Sequence, residues 1–253
     1  YQLRWLQRVP ARAAVHESVE LVKRARKASA AGLVNAVLRR LAAEAPTPEE
    51  RLVPREWPLA ERLAVRGSHP TWLVARWLAA LEEEQTRALL AANNSPPRVT
   101  CVVAAGESPE AVIAELKKEA VEARPGRWLR HALEITSGAV GRTRPFAEGR
   151  VRMQDEASQM VALLLDPQPG MRLLDVCAAP GGKTLLLAEA VGAGGSVLAA
   201  DLHASRLRAM RERVARHPQV QMLAMDAAAE WPLRGQFDAI LVDVPCSGTG
   251  TLA

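Results

Sequence analysis

Four short apolar runs between Met171 and Val242, separated by segments with helical spacing, constrain the fold more than any other feature of the chain. They are Met171–Asp175, Ser196–Ala200, Val220–Ala224 and Phe237–Val242, with helices expected from about Lys183 to Val191 and from about Ala204 to Arg216. Short apolar runs that alternate with helices predict a parallel sheet with right-handed crossovers. An acid closes each run: Asp175, Asp201, Asp226 and Asp243. Open α/β sheets bind ligands beyond the carboxyl ends of their strands. Four carboxylates at four such ends therefore mark an expected site.

The turn after the first run narrows the ligand. It reads Asp175-Val176-Cys177-Ala178-Ala179-Pro180-Gly181-Gly182-Lys183-Thr184. A phosphate-binding P-loop needs glycine where Cys177 stands, and the dinucleotide pattern G-x-G-x-x-G has no match here. The turn still suits an anion or a close-lying ligand. Gly181 and Gly182 lack a Cβ, and a helix N-terminus offers free N–H groups. Asp201, 26 residues after Asp175, is expected to accept ribose hydroxyls. An adenosyl group with a carboxylate and no pyrophosphate describes S-adenosylmethionine, and an acidic rim suits its sulfonium.

The upstream half reads differently. Residues 11–43 predict two helices, with Val15, Val19 and Val22 on one apolar face and Leu33, Val34, Val37, Leu38 and Leu41 on the other. Pro46-Thr47-Pro48 marks a boundary. Residues 55–92 look helical, with Trp72, Leu73, Trp77, Leu78 and Leu81 expected in a core. Arg98–Val103 reads as a strand, and Ser108 before Pro109 as a helix cap. The formal net charge is +5, yet residues 1–45 alone hold nine basic residues against three acids. Residues 122–152 hold seven arginines against three acids and are expected to be partly loop. Of the 33 basic residues 28 are arginines, which suit bidentate phosphate contacts. Both stretches are candidate surfaces for a polyanion.

Composition removes other classes. Hydrophobic residues make up 49% and charged residues 24%, which excludes a disordered chain. The longest apolar run, near Met160–Leu165, is too short to span a bilayer. Three cysteines, Cys101, Cys177 and Cys246, make no disulfide framework and suit a reducing, cytoplasmic setting. No CxxC pair occurs, and Glu20 stands where a zincin would need histidine, so no metal site is expected. The chain begins at Tyr1 without a signal peptide and stops after a Gly-rich turn, and is expected to be cut at both ends.

Three segments carry a resemblance. Cys177–Thr184 resembles the cofactor loop of the RNA cytosine-C5 methyltransferases, and Asp243-Val244-Pro245-Cys246-Ser247-Gly248-Thr249-Gly250 resembles their fourth motif. Phe146, Gly149 and Gln154–Gln159 are similar to the segment that leads into their catalytic domain, while Asn35–Arg39 resembles the last helix of a NusB-like RNA-binding domain. That domain is fused upstream in the bacterial 16S ribosomal RNA methyltransferase B branch. The resemblance implies an α/β, Rossmann-like class I S-adenosylmethionine-dependent methyltransferase domain over residues 146–253. It implies a NusB-like helical segment over 1–48 and a small α+β domain over 49–145.

The resemblance also implies roles. Cys177, Ala178, Ala179, Pro180, Gly181, Gly182 and Lys183 would wrap the methionine part of the cofactor. Asp201 would hold the ribose, Asp226 would lie beside the adenine, and Asp243 would face both cofactor and target base. Cytosine C5 is a poor nucleophile; a thiolate adding to C6 makes it enamine-like. In this family a cysteine from a later motif, beyond residue 253, attacks, and Cys246 assists release of the product. The expected partner is small-subunit ribosomal RNA, with a monomeric protein. Two alternatives stand beside this reading. In a DNA-type cytosine methyltransferase Cys246 itself would attack, and a non-catalytic NusB-like adaptor would bind no cofactor.

Overall fold

The computed structural model describes residues 2–6, 8–44 and 53–249. Pro46-Thr47-Pro48 and Gly250 lie outside the described residues. The chain divides into two compact units, one ending at Asn94 and the other starting at Ser95.

The first unit is helical: α1 (Gln2–Trp5), α2 (Ala11–Arg24), α3 (Ala31–Ala43), α4 (Leu59–Arg66), α5 (Thr71–Ala80) and α6 (Glu83–Asn93). Leu63, Ala64, Val74 and Leu90 form one core, with Trp77 and Leu78 against it. The His69 ring makes a T-shaped contact with Trp77, its Nδ1 faces the Gly67 carbonyl, and its Nε2 meets the Asn93 amide at 3.1 Å. Two expectations need correction. Trp72, 65% exposed, and Leu81, 37% exposed, are not core. The buried stripe of α5 runs through Leu73, Val74, Trp77 and Leu78, and Trp72 falls on the Arg76 side of the helix. On α3, Val34 and Leu38 are half-buried while Leu33, Val37 and Leu41 stay exposed, so the apolar face is wider than the contact it makes with α2.

The second unit carries two sheets. Strand β1 (Val99–Val103) is followed by α7 (Pro109–Lys118), β2 (Glu122–Pro125) and β3 (Ala132–Ser137). Then come the short helix α8 (Arg144–Ala147) and β4 (Val151–Met153). Ser108 caps α7 by accepting from the Ala111 N–H, with Pro109 at the first helical position. The sheet is antiparallel, ordered β2-β3-β1-β4. Its core is Cys101, Val103, Val112, Leu116, Leu133 and Ile135.

The arginine-rich stretch is partly loop, as expected, but also holds β2, β3 and the start of β4, and most of its charge is used internally. Arg124 pairs with Glu134, Arg144 with Glu148, Arg150 with Glu107 and Glu115, and Arg152 with Glu189. The glycines and prolines that suggest loop stand at turns: Gly126 and Gly138 flank β3, and Pro145 opens α8.

The remaining elements are α9 (Glu156–Leu163), β5 (Arg172–Asp175), α10 (Gly182–Val191), β6 (Ser196–Asp201), α11 (Ala204–Val214), β7 (Val220–Ala224) and β8 (Ala239–Leu241). The sheet is parallel, ordered β7-β6-β5-β8. Successive side chains in β5 point to opposite faces. Leu173 packs with Leu187, Ala188 and Val191 of α10, and Leu174 packs with Val176, Ala200 and Met225. No helix among the described residues is long and apolar enough to cross a membrane.

Cys101 is fully buried in the antiparallel sheet, and burial pushes its thiol up to about 11. The thiolate is the reactive form. Iodoacetamide at pH 8 is therefore expected to label the exposed Cys246 and to spare Cys101 until denaturant is added. Labelling of Cys101 in the folded chain, read by peptide mass spectrometry, would contradict this core.

Candidate functional site

Strand β5 has β6 on one side and β8 on the other, so the chain reverses its direction of sheet growth at β5. A crevice opens at the carboxyl ends of the two strands flanking such a switch point. The turn after β5 and the segment after β8 meet there. They line a cleft of about 510 Å³ that includes Cys177–Pro180, Gly182, Lys183, Arg206 and Asp243–Cys246. Met153, Gln154, Asp155 and Ser158 form another wall.

The turn is held from behind. Gly181 adopts φ +99°, and a Cβ there would lie 2.8 Å from Met210 Cγ, so glycine is required twice over. Its N–H donates to the Ala178 carbonyl at 2.7 Å, and the Ala178 N–H donates to the Ala200 carbonyl at 2.8 Å. Thr184 donates its hydroxyl to Asp175 at 2.7 Å. Lys183 Nζ pairs with Asp243 at 2.6 Å, joining the turn to the segment after β8. The Gly248 N–H approaches Cys246 Sγ at 3.4 Å, and Cys246 is exposed.

Asp201 is turned inward and only 2% exposed. Its carboxylate accepts from the Ala179 N–H at 3.2 Å and from the His203 N–H at 3.0 Å. Arg206 donates to the same carboxylate at 3.2 Å and to the Ala179 carbonyl at 2.9 Å. Asp201 and Arg206 together therefore grip the middle of the turn. Asp226 is exposed and lies outside the cleft lining; its carboxylate accepts from the Ala228 N–H at 2.9 Å. So the structure brings Cys177–Lys183, Asp243 and Cys246 together, sets Asp201 behind them, and leaves Asp226 to one side.

Sequence reasoning named neither Arg206 nor Thr184 as site residues. Arg206 has a readable signal: it sits five residues after Asp201, in the first turn of α11, where it can reach back to the strand end. The role of Thr184 follows from the tertiary position of Asp175 and has no such signal.

Charge is concentrated here. Burial pushes the Asp175 carboxyl up to about 6; the Thr184 bond and Lys183 oppose the rise, and Asp243 and Asp201 add to it. Burial, and then Asp201, Asp175 and Asp243, also push the Cys177 thiol up. The folded chain binds the Asp175 proton more tightly than the unfolded chain does. This group's contribution to stability is therefore greatest below its ordinary value of 3.8, falls as pH rises to about 6, and stays low above that. Asp175→Asn is expected to flatten that slope and to stabilise the chain at pH 7.5 by on the order of 2–3 kcal/mol. Urea melts across the pH range check it; an unchanged slope would exclude a raised Asp175.

Comparison with known proteins places this site in a family. The family model described as 16S rRNA methyltransferase RsmB/F matches residues 162–253. An RsmF/B-like, ferredoxin-like domain matches residues 69–140, and the NusB family matches residues 1–43. The chain is 36% identical to the probable ribosomal RNA small subunit methyltransferase B of Bacillus subtilis (strain 168). It is 40% identical to the ribosomal RNA small subunit methyltransferase B of Pseudomonas putida (strain KT2440). Each alignment covers 100% of this chain and 57% of the relative, so the chain spans little more than half the length of these proteins. Among solved structures, PH0851 matches with a TM-score of 0.78 and 25% identity, over 96% of this chain and 54% of that one. A methyltransferase homologue from Pyrococcus horikoshii matches with a TM-score of 0.69 and 26% identity, over 78% of this chain and 66% of that one. With the turn and the cleft in place, the chain carries in one order the segments matched by the NusB, the RsmF/B-like ferredoxin-like and the 16S rRNA methyltransferase RsmB/F models, and it is similar along its whole length to ribosomal RNA small subunit methyltransferase B proteins.

Proposed function

We propose that the whole protein transfers a methyl group from S-adenosylmethionine to C5 of a cytosine in 16S ribosomal RNA. The observation that carries this reading is the meeting of the Cys177–Lys183 turn with Asp243 and Cys246 in one cleft. Residues 1–48 and 49–145 would serve RNA binding, and residues 146–253 would begin the catalytic domain.

The cleft suits the cofactor. Its volume of about 510 Å³ is in the range of small-molecule sites. The carboxylates that push up the Cys177 thiol create the negative potential a sulfonium needs. Gly181 and Gly182 let the turn lie close to a ligand. Residues 177–183 and Asp243 would hold the cofactor, with Asp201 acting mainly through the turn and Asp226 at the adenine end. When bound, the cofactor supplies an electrophilic methyl group.

This chain's own residues would assist the transfer. Lys183 holds Asp243 at 2.6 Å, which fixes its carboxyl group for cytosine N3; in its protonated form the group donates that proton to N3, and the resulting carboxylate stays paired with Lys183. That interaction draws electrons from the ring and favours thiolate addition at C6. The attacking thiolate comes from a later motif of the family. After methyl transfer the C5 proton is lost and the thiolate leaves C6, a step in which Cys246 assists.

Calorimetry on this chain is expected to show binding of S-adenosylmethionine, weakened in Asp201→Ala by about 1–3 kcal/mol through loss of buried hydrogen bonds. A folded chain that releases no binding heat would sink the reading. In the full-length protein, Cys246→Ala is expected to accumulate a covalent RNA adduct, seen as a slow band on denaturing gels. An inactive variant with no adduct would instead favour Cys246 as the attacking residue.

A further inference from the structure

We propose that the loop 126–131 is a grip for single-stranded RNA, with Trp128 as the stacking face and Arg127 and Arg130 on the flanking phosphates. The inference rests on the RNA methyltransferase reading above and names where the strand is held beside the cleft.

Trp128 is 60% exposed. The Arg127 guanidinium lies 5.1 Å from its ring centroid and covers one face. The remaining exposure leaves ring surface for another planar partner. The loop that carries this ring is held in place. Glu156, only 4% exposed, accepts from the N–H groups of Arg127 at 3.1 Å, Trp128 at 2.7 Å and Leu129 at 2.7 Å. Burial pushes the Glu156 carboxyl up, but the three backbone bonds outweigh it and hold the group below its ordinary range. Gly126 allows the closure: a Cβ there would lie 2.7 Å from Glu156 Oε1 and 2.5 Å from Ala132 Cβ. A preset loop loses little freedom when a ligand docks.

Charge selects the partner. Arg124, Arg144, Arg150 and Arg152 are consumed in ion pairs, whereas Arg127 and Arg130 form none among the described residues. The loop 126–131 contains no acid. Glu110, whose carboxyl feels Arg130 and His131, is bonded to Ser108 at 2.7 Å. An exposed aromatic between two arginines fits an unpaired base with its phosphates better than a duplex, whose bases present no free face. Position agrees: Glu156 directly follows Asp155, which lines the cleft with Cys246. A strand with one base in the cleft has its neighbours beside this loop.

The test compares the full-length protein with Trp128→Ala, Trp128→Phe and Arg127→Gln/Arg130→Gln variants. Fluorescence anisotropy reads the affinity for a short unpaired segment of 16S ribosomal RNA and for the same segment as a duplex. Trp128→Ala is expected to weaken unpaired RNA about ten-fold or more, with an unchanged salt slope. Trp128→Phe should recover most of that loss. The double arginine variant should make the salt slope shallower by about one to two. Cofactor binding and melting temperature should match the parent in all variants. Equal affinity of Trp128→Ala and parent for unpaired RNA overturns the grip, even if binding to an intact small-subunit particle is lost, which would point to a protein contact. A parent that binds no RNA also overturns it. A parent that binds RNA but no S-adenosylmethionine overturns the catalytic reading and leaves the Trp128 comparison to decide the grip.

Discussion

Everything at the site follows from the reversal at β5. A strand paired on both sides, with each neighbour reached by chain running away from it, leaves a gap at its carboxyl end that no crossover fills. Two segments far apart in sequence are delivered to that gap. One follows β5 and carries backbone for a ligand; the other follows β8 and carries Asp243 and Cys246. The 2.6 Å pair between Lys183 and Asp243 is the direct link between them.

The acids at the strand ends do not all do the same work. Asp175 and Asp201 are buried and bonded inward, one to Thr184 and the other to Ala179, His203 and Arg206. They shape the turn as much as any ligand. Asp243 is paired but partly open, and Asp226 stands in solvent. A position at a strand end therefore states that an acid is near the site, while its hydrogen bonds decide whether it faces a ligand or the scaffold. The same distinction separates the arginines: Arg124 joins β2 to β3, Arg150 and Arg152 tie the β4 edge to Glu115 of α7 and Glu189 of α10, and those on the 126–131 loop are exposed.

The parallel sheet was legible because its signal is local. Apolar runs, glycines and strand-end acids lie within short windows, and β5 to β8 form where those windows fall. The two helices before Glu44 and the cap at Ser108 were legible for the same reason. The strands β2, β3 and β4 were not. They are short, β2 and β4 each carry an arginine, and their stability comes from pairing within the sheet and from ion pairs such as Arg124–Glu134 and Arg152–Glu189. Within the site, the turn was readable to the residue. The inward orientation of Asp201 was not, because it depends on Arg206 folding back and on the Ala179 N–H arriving from the turn after β5.

Cys177 shows what the surrounding carboxylates achieve beyond ligand attraction. A sulfonium methyl donor is an alkylating agent, and a thiolate in the same cleft would be its nearest victim. Burial together with Asp201, Asp175 and Asp243 keeps the Cys177 sulfur protonated and weakly nucleophilic. On the proposed reading, the negative field that would draw in a cationic donor would also guard the protein against methylating itself.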